Sequence, residues 1–138
     1  MNSSKNKRVS TASTFLKVVA AINGSVLVIF LIPGVMESLG VQEPYSTFWR
    51  ELPLLLAIYA NLTLWISALD IEKFAIIPMW NSVLRFTFTI FCFAKGYGDT
   101  VGSFAVQLAI ADLVIGIITI VLVQRALNKP FLSILLNR

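Results

Sequence analysis

Few residues in this chain could do chemistry, and the most conspicuous one stands where chemistry is costly. Arg85 lies near the centre of the apolar run 74–94, which reads Phe-Ala-Ile-Ile-Pro-Met-Trp-Asn-Ser-Val-Leu-Arg-Phe-Thr-Phe-Thr-Ile-Phe-Cys-Phe-Ala. A run of that length can cross a bilayer. A guanidinium at its middle costs roughly 3 kcal/mol on insertion scales, so it needs a compensating partner. Among the acids, Asp112, Glu51 and Asp70 are the plausible actors. Glu51 and Asp70 flank one apolar run and so belong to opposite faces of a bilayer, where they cannot converge. Histidine is absent and Cys92 is the single cysteine. That removes histidine metal ligands, a Cys-x-x-Cys redox pair and any Ser-His or Cys-His nucleophile within one chain. Cys92, inside an apolar run, reads as a small apolar filler. No cofactor or metal is expected, and no catalytic residue.

Counting along helices gives the polar residues depths. At 1.5 Å per residue, Arg85 lies about 15 Å before Lys95, and Asp112 about 13–14 Å after Ser103. The two opposite charges thus share a depth on consecutive antiparallel segments joined by a tight turn, which makes them neighbours. Asn61 lies about 15 Å after Glu51, so the expected central layer is Arg85, Asp112 and Asn61. Asn23 and Asn81 fall some 5 Å deeper and form an expected second layer. Asn81 and Arg85 are four residues apart and share a helix face. Pro78, Ser82, Thr89 and Cys92 extend that face, and Ala105, Ala109, Asp112, Gly116 and Thr119 repeat at helical spacing on the next segment. Small residues at such spacing let helices approach closely. Ala20 and Gly24 in the first segment, and Ala57, Asn61 and Ala68 in the second, fit the same pattern.

Two readings of the Arg85–Asp112 pair follow. One is a structural ion pair that fixes helix register. The other is a proton or substrate site, since intramembrane ionisable residues are functional candidates. Tyr59, Trp65 and Trp80 read as packing or interface anchors, with pocket lining the alternative. Glu43 and Glu51 read as solvated loop charges rather than cation contacts.

The elements that must hold these residues are set by composition. The 138 residues are 57% hydrophobic and 13% charged, with mean hydropathy +0.83. Soluble domains carry about 25% charge, so the chain belongs to the membrane class. At about 20 residues per crossing, four spans consume nearly all of it. The expected fold is all-α: a polytopic membrane protein built as an antiparallel four-helix transmembrane bundle. Residues 1–13 read as a polar, basic tail. The spans are about 14–36, 51–69, 74–94 and 102–124, within a membrane domain of 14–125. Residues 126–138, after Arg125 and Pro130, read as a short interfacial segment. Gly40 and Pro44 break the first loop, whose Tyr45, Phe48 and Trp49 suit a membrane interface and which has room for a short surface helix. Pro53 is placed in the first turn of the second span, where proline is tolerated. A cleaved signal peptide is disfavoured, because the first apolar stretch of about 19 residues exceeds the usual 7–15.

The net charge of +4 reads as a topology signal, not a nucleic-acid surface. Lys5, Lys7, Arg8 and Lys17 lie at one chain end, and Arg125, Lys129 and Arg138 at the other. Only Arg50 and Lys95 lie in the loops facing the opposite way. By the positive-inside rule both termini are cytoplasmic. The surroundings are then the lipid bilayer, with a second copy or another membrane protein as the expected partner and no nucleic acid.

The layout Ala68-x-Asp70 after the second span, Arg85 in the third, Gly96 after it, and Asp112-x-x-x-Gly116 in the fourth resembles the small four-helix bacterial membrane proteins of the DoxX-like kind. The resemblance covers about residues 50–124. It implies a compact four-helix bundle in a bacterial inner membrane. Some members of that group are membrane subunits linked to quinone or thiosulfate oxidation, and here a redox role would have to come from a bound quinone or a partner. The overall expectation is a non-enzymatic accessory, assembly or scaffold subunit. The alternative is a carrier or binder of a small anionic or quinone-like ligand at the mid-membrane polar layer, acting as a dimer.

Overall fold

Four long helices carry the apolar runs, each long and apolar enough to cross a membrane: Ser4–Phe30, Arg50–Leu69, Ile76–Ala94 and Ser103–Leu127. The computed structural model describes residues 3–42 and 46–137. Glu43, Pro44, Tyr45 and Arg138, and the side chain of Trp49, lie outside the described residues. In chain order the helices are α1 (Ser3–Phe30), α2 (Val35–Ser38), α3 (Thr47–Leu69), α4 (Ile71–Phe74), α5 (Ile76–Ala94), α6 (Tyr97–Thr100), α7 (Ser103–Leu127) and α8 (Phe131–Leu135). No strand occurs among the described residues. The protein is an all-α, multi-pass membrane bundle.

The basic segment expected as a tail is instead the first part of α1. Nothing between Ser3 and Asn23 breaks a helix: there is no proline or glycine, and the straight-chain Lys5, Lys7 and Arg8 favour helix. The segment is also packed. Ala12 is fully buried, Val9 packs against the core, Ser13 donates to the Ala68 carbonyl, and Lys5 pairs with Glu72 at 2.6 Å. That ion pair is about half exposed on both sides and contributes little, so the packing of Val9 and Ala12 against the core does most to hold the segment. At its other end α1 stops at Phe30, short of residue 36. Pro33 cannot continue the hydrogen-bond ladder, and Gly34, at φ 82°, turns the chain into α2.

Other boundaries shift for similar reasons. α3 begins at Thr47, so Pro53 falls in its second turn rather than its first and removes one helical donor there. Asp70 caps α4 by accepting from the Lys73 backbone N–H at 3.2 Å, which takes Phe74 out of the third span. Pro78 then sits in the first turn of α5, where its missing N–H is not needed. α7 runs on to Leu127, with Arg125 in its last turn and Asn128 as a left-handed C-cap.

The four long helices pack as two antiparallel hairpins. α1 lies against α3, α5 lies against α7, and α1 and α7 join the hairpins, while α3 and α5 meet only sparsely. The main core gathers at the end that carries both termini, where Leu16, Leu64, Ile71, Met79 and Val123 are almost wholly buried. Ile134 of α8 joins it, leaving Leu132 of the same helix and Leu136 just after it exposed. A smaller cluster of Cys92, Ala105 and Ala109 closes the far end of the α5/α7 hairpin. There Phe30 meets Phe104 edge to face at 5.7 Å, and the Gln42 N–H donates to the Val101 carbonyl at 3.0 Å. Ile22, Leu56, Leu62 and Ile90 are each more than half exposed. Such a continuous apolar exterior suits lipid, where helix association depends on packing and interhelical hydrogen bonds rather than on burial from water.

Candidate functional site

Arg85 stands nine residues from either end of α5, about 13–14 Å from each. It is 8% exposed. One guanidinium nitrogen donates to Asp112 Oδ1 on α7. Its Nε donates to Asn81 Oδ1, one turn earlier on α5, at 2.8 Å. The charge is therefore neutralised across the helix pair, and the fork is oriented from within its own helix. A buried charge survives only when both needs are met.

The pair is the first rung of a ladder. One turn further along α5, the Thr89 hydroxyl lies 2.9 Å from both its own helix's Arg85 carbonyl and the Ala109 carbonyl of α7. The next rung is the Cys92 thiol against the Ala105 carbonyl at 3.5 Å. Each step along α5 meets a step back along α7, as antiparallel helices require. Thr89 and Cys92 were legible from the sequence only as members of a small-residue face. Their role as cross-helix donors needs the pairing register, which Arg85–Asp112 supplies. Cys92 is thus more than filler, although a thiol is a weak donor.

Gly116 completes the interface beside the pair. A Cβ there would come within 2.7 Å of the Phe86 ring, so α5 lays an aromatic edge directly on the α7 backbone. Replacing Thr89 with Val keeps the shape and removes the rung. Expected is a loss of about 0.6 kcal/mol, the average for interhelical hydrogen bonds in membranes. Unfolding of the purified protein by a denaturing detergent measures it. Thr87→Val is the control: that hydroxyl bonds only the Val83 carbonyl of its own helix and is exposed, so its change is near zero.

Two residues expected in the polar layers are placed elsewhere. Asn61 shares the depth of Arg85 but makes no hydrogen bond to it or to Asp112. It faces α1, where its Cβ would lie 4.0 Å from a Cβ added at Gly24. Its Nδ2 donates back to the Ala57 carbonyl at 2.8 Å. Asn23 is half-buried on α1 and has no side-chain hydrogen bond among the described residues. The second layer therefore does not form as a pair, since Asn81 is engaged with Arg85. The cause is azimuth. Depth fixes how far along a helix a residue lies, but not which neighbour it faces, and both Asn23 and Asn61 belong to the α1/α3 hairpin.

The remaining acids are dispersed. Glu51 pairs with its neighbour Arg50 at 3.3 Å, Asp70 caps α4, and Glu72 holds Lys5. Among the described residues no group of three acidic, cysteine or histidine side chains could hold a metal ion. Tyr59 and Trp80 face outward at 67% and 49% exposure, whereas Trp65 lines a groove. That groove, about 530 Å³, runs between α1 and α3. A second cavity of about 310 Å³ lies between the start of α1 and the α3–α4 turn, beside Ser10, Ser13, Asp70 and Glu72. Neither is lined by Arg85 or Asp112. Comparison with protein-family models, characterised proteins and solved structures returned no match.

Proposed function

We propose that the protein is a non-enzymatic membrane subunit, an accessory, assembly or scaffold component, in which the Arg85–Asp112–Asn81 cluster fixes the register of α5 on α7. The observation that supports this reading is that Arg85 already has an acidic partner and an orienting amide within its own chain. An anionic or quinone-like ligand at Arg85 would have to displace Asp112 and reach it without either of the two cavities described above. The short connections and the close α5/α7 face suit a part that holds other parts, and the layout that resembles the DoxX-like proteins agrees with a small bundle serving a larger membrane assembly. On this reading the protein sits in a bacterial inner membrane with both basic ends cytoplasmic, as the positive-inside rule directs.

One experiment tests both claims. The protein carries a C-terminal affinity tag and is expressed in its membrane. Protease should leave the tag intact on spheroplasts, whose periplasmic face is open to it, and remove it once they are lysed. Purification in mild detergent should return another membrane protein in fixed stoichiometry. A preparation that always contains this chain alone counts against a subunit role, and a tag cleaved on unlysed spheroplasts counts against the orientation.

A further inference from the structure

The groove between α1 and α3 does not depend on Arg85 and has a chemistry of its own. It is lined mainly by Ala20, Ala21, Gly24, Ile58, Leu62 and Trp65. Its volume and apolar lining are those of a small-molecule site. Asn61 also lines it. That residue is 8% exposed. Its Nδ2 is tied to Ala57, while its Oδ1 is buried with no hydrogen-bond partner. An amide oxygen left unpaired in an apolar medium is costly, so buried polar atoms nearly always have partners. Ser25, the other polar residue lining the groove, and Asn23 on the other side of Gly24 make no bond to it.

We propose that this groove binds a neutral, lipid-soluble molecule with an apolar body and one hydroxyl, an alcohol or a phenol, which donates to Asn61 Oδ1. The orphan atom is an acceptor, so the ligand must bring a donor. Asn61 lies about 12 Å from the nearer end of α3. The acyl chains of bilayer lipids carry no donor at that depth. A charged ligand would find no counter-ion, since no lining residue of the groove is ionisable, and a bare charge there is costly. Oδ1 is shielded by its surroundings; the last torsion of asparagine is broad, and a turn that aims the oxygen into the groove gives up the Nδ2 bond to the Ala57 carbonyl, so binding exchanges that local bond for the one the ligand donates.

The test compares two probes that differ only in the donor, 4-octylphenol and its methyl ether. The full chain is purified in detergent with Trp49→Phe and Trp80→Phe, so that Trp65 in the groove reports binding by fluorescence. The phenol should bind at least tenfold more tightly than the ether. With Asn61→Leu that preference should collapse to near one. Ala21→Phe, on the exposed face of α1, should weaken both probes while leaving Asn61 in place, and it keeps the test available if the Asn61 variant does not fold. Equal affinity for the two probes, no binding of either, or a phenol preference that survives Asn61→Leu overturns the proposal. So does a dimer in sedimentation that Asn61→Leu converts to monomer, because the groove then belongs to a second copy.

Discussion

Asp112→Leu should be the most damaging single change in the membrane interior. It leaves the Arg85 guanidinium at mid-span with only Asn81 to bond, and a guanidinium cannot discharge. Breaking a buried pair from one side costs about 3–5 kcal/mol, a large share of the stability of a small protein. Arg85→Leu should cost less, because a lone carboxyl has a neutral form open to it. The double change removes both charges and replaces them with side chains that suit the surrounding hydrocarbon. Its cost should fall well below the sum of the single changes, and it can reach neutrality. Two readouts apply: the amount of protein accumulating in the membrane, and the midpoint of unfolding in denaturing detergent. Recovery of stability in the double variant together with partner binding fits a pair that serves only as a structural fastener. Recovery of stability with loss of the partner would move the pair into the function itself.

The Arg85–Asp112 contact was legible in the sequence because two constraints met. Depth is a count along a helix, and adjacency follows from a tight turn between consecutive spans. Asn61 satisfied only the first. Between α3 and α5 the connection is also short, yet these two helices meet sparsely, because α1 and α7 occupy the contact faces that sequence order would have given to them. The same gap explains the lateral groove. It depends on how α1 and α3 splay, and no periodicity encodes that. The N-terminal helix was missed for a different reason. Hydropathy marks where a span may lie in lipid, whereas helix continues wherever nothing breaks it, and Val9 and Ala12 found apolar partners ahead of the apolar stretch. Conversely Pro33-Gly34 ended α1 early although the residues around it remain apolar. The orphaned Asn61 oxygen could not be read at all without coordinates, since it depends on the absence of a partner in three dimensions.

The second large effect is expected at Gly102, just before the fourth span. This residue joins α6 to α7 at φ 127° and ψ 159°, a region essentially restricted to glycine. A Cβ there would also strike the backbone carbonyl oxygen of Gly40 in the loop after α2. Unlike the Phe86 ring over Gly116, a backbone carbonyl cannot rotate aside. The neighbouring bond from the Gln42 N–H to the Val101 carbonyl ties the same two loops, so relief by separation would break it. Backbone strain of about 1–3 kcal/mol adds to the loss of that contact, and Gly102→Ala should destabilise the far end of the bundle by about 2–4 kcal/mol. The effect should be local at first. Hydrogen exchange should rise in α2, α6 and the first turn of α7, while the amides around Leu16, Met79 and Val123 at the opposite end stay protected. Gly34→Ala supplies the contrast. It too has a positive φ, but an added Cβ there meets nothing within 4 Å, so only the strain remains and the loss should be near 1 kcal/mol. Equal effects at the two glycines would mean that the contact between the loops contributes nothing, and that the far end of the bundle is held by the helices alone.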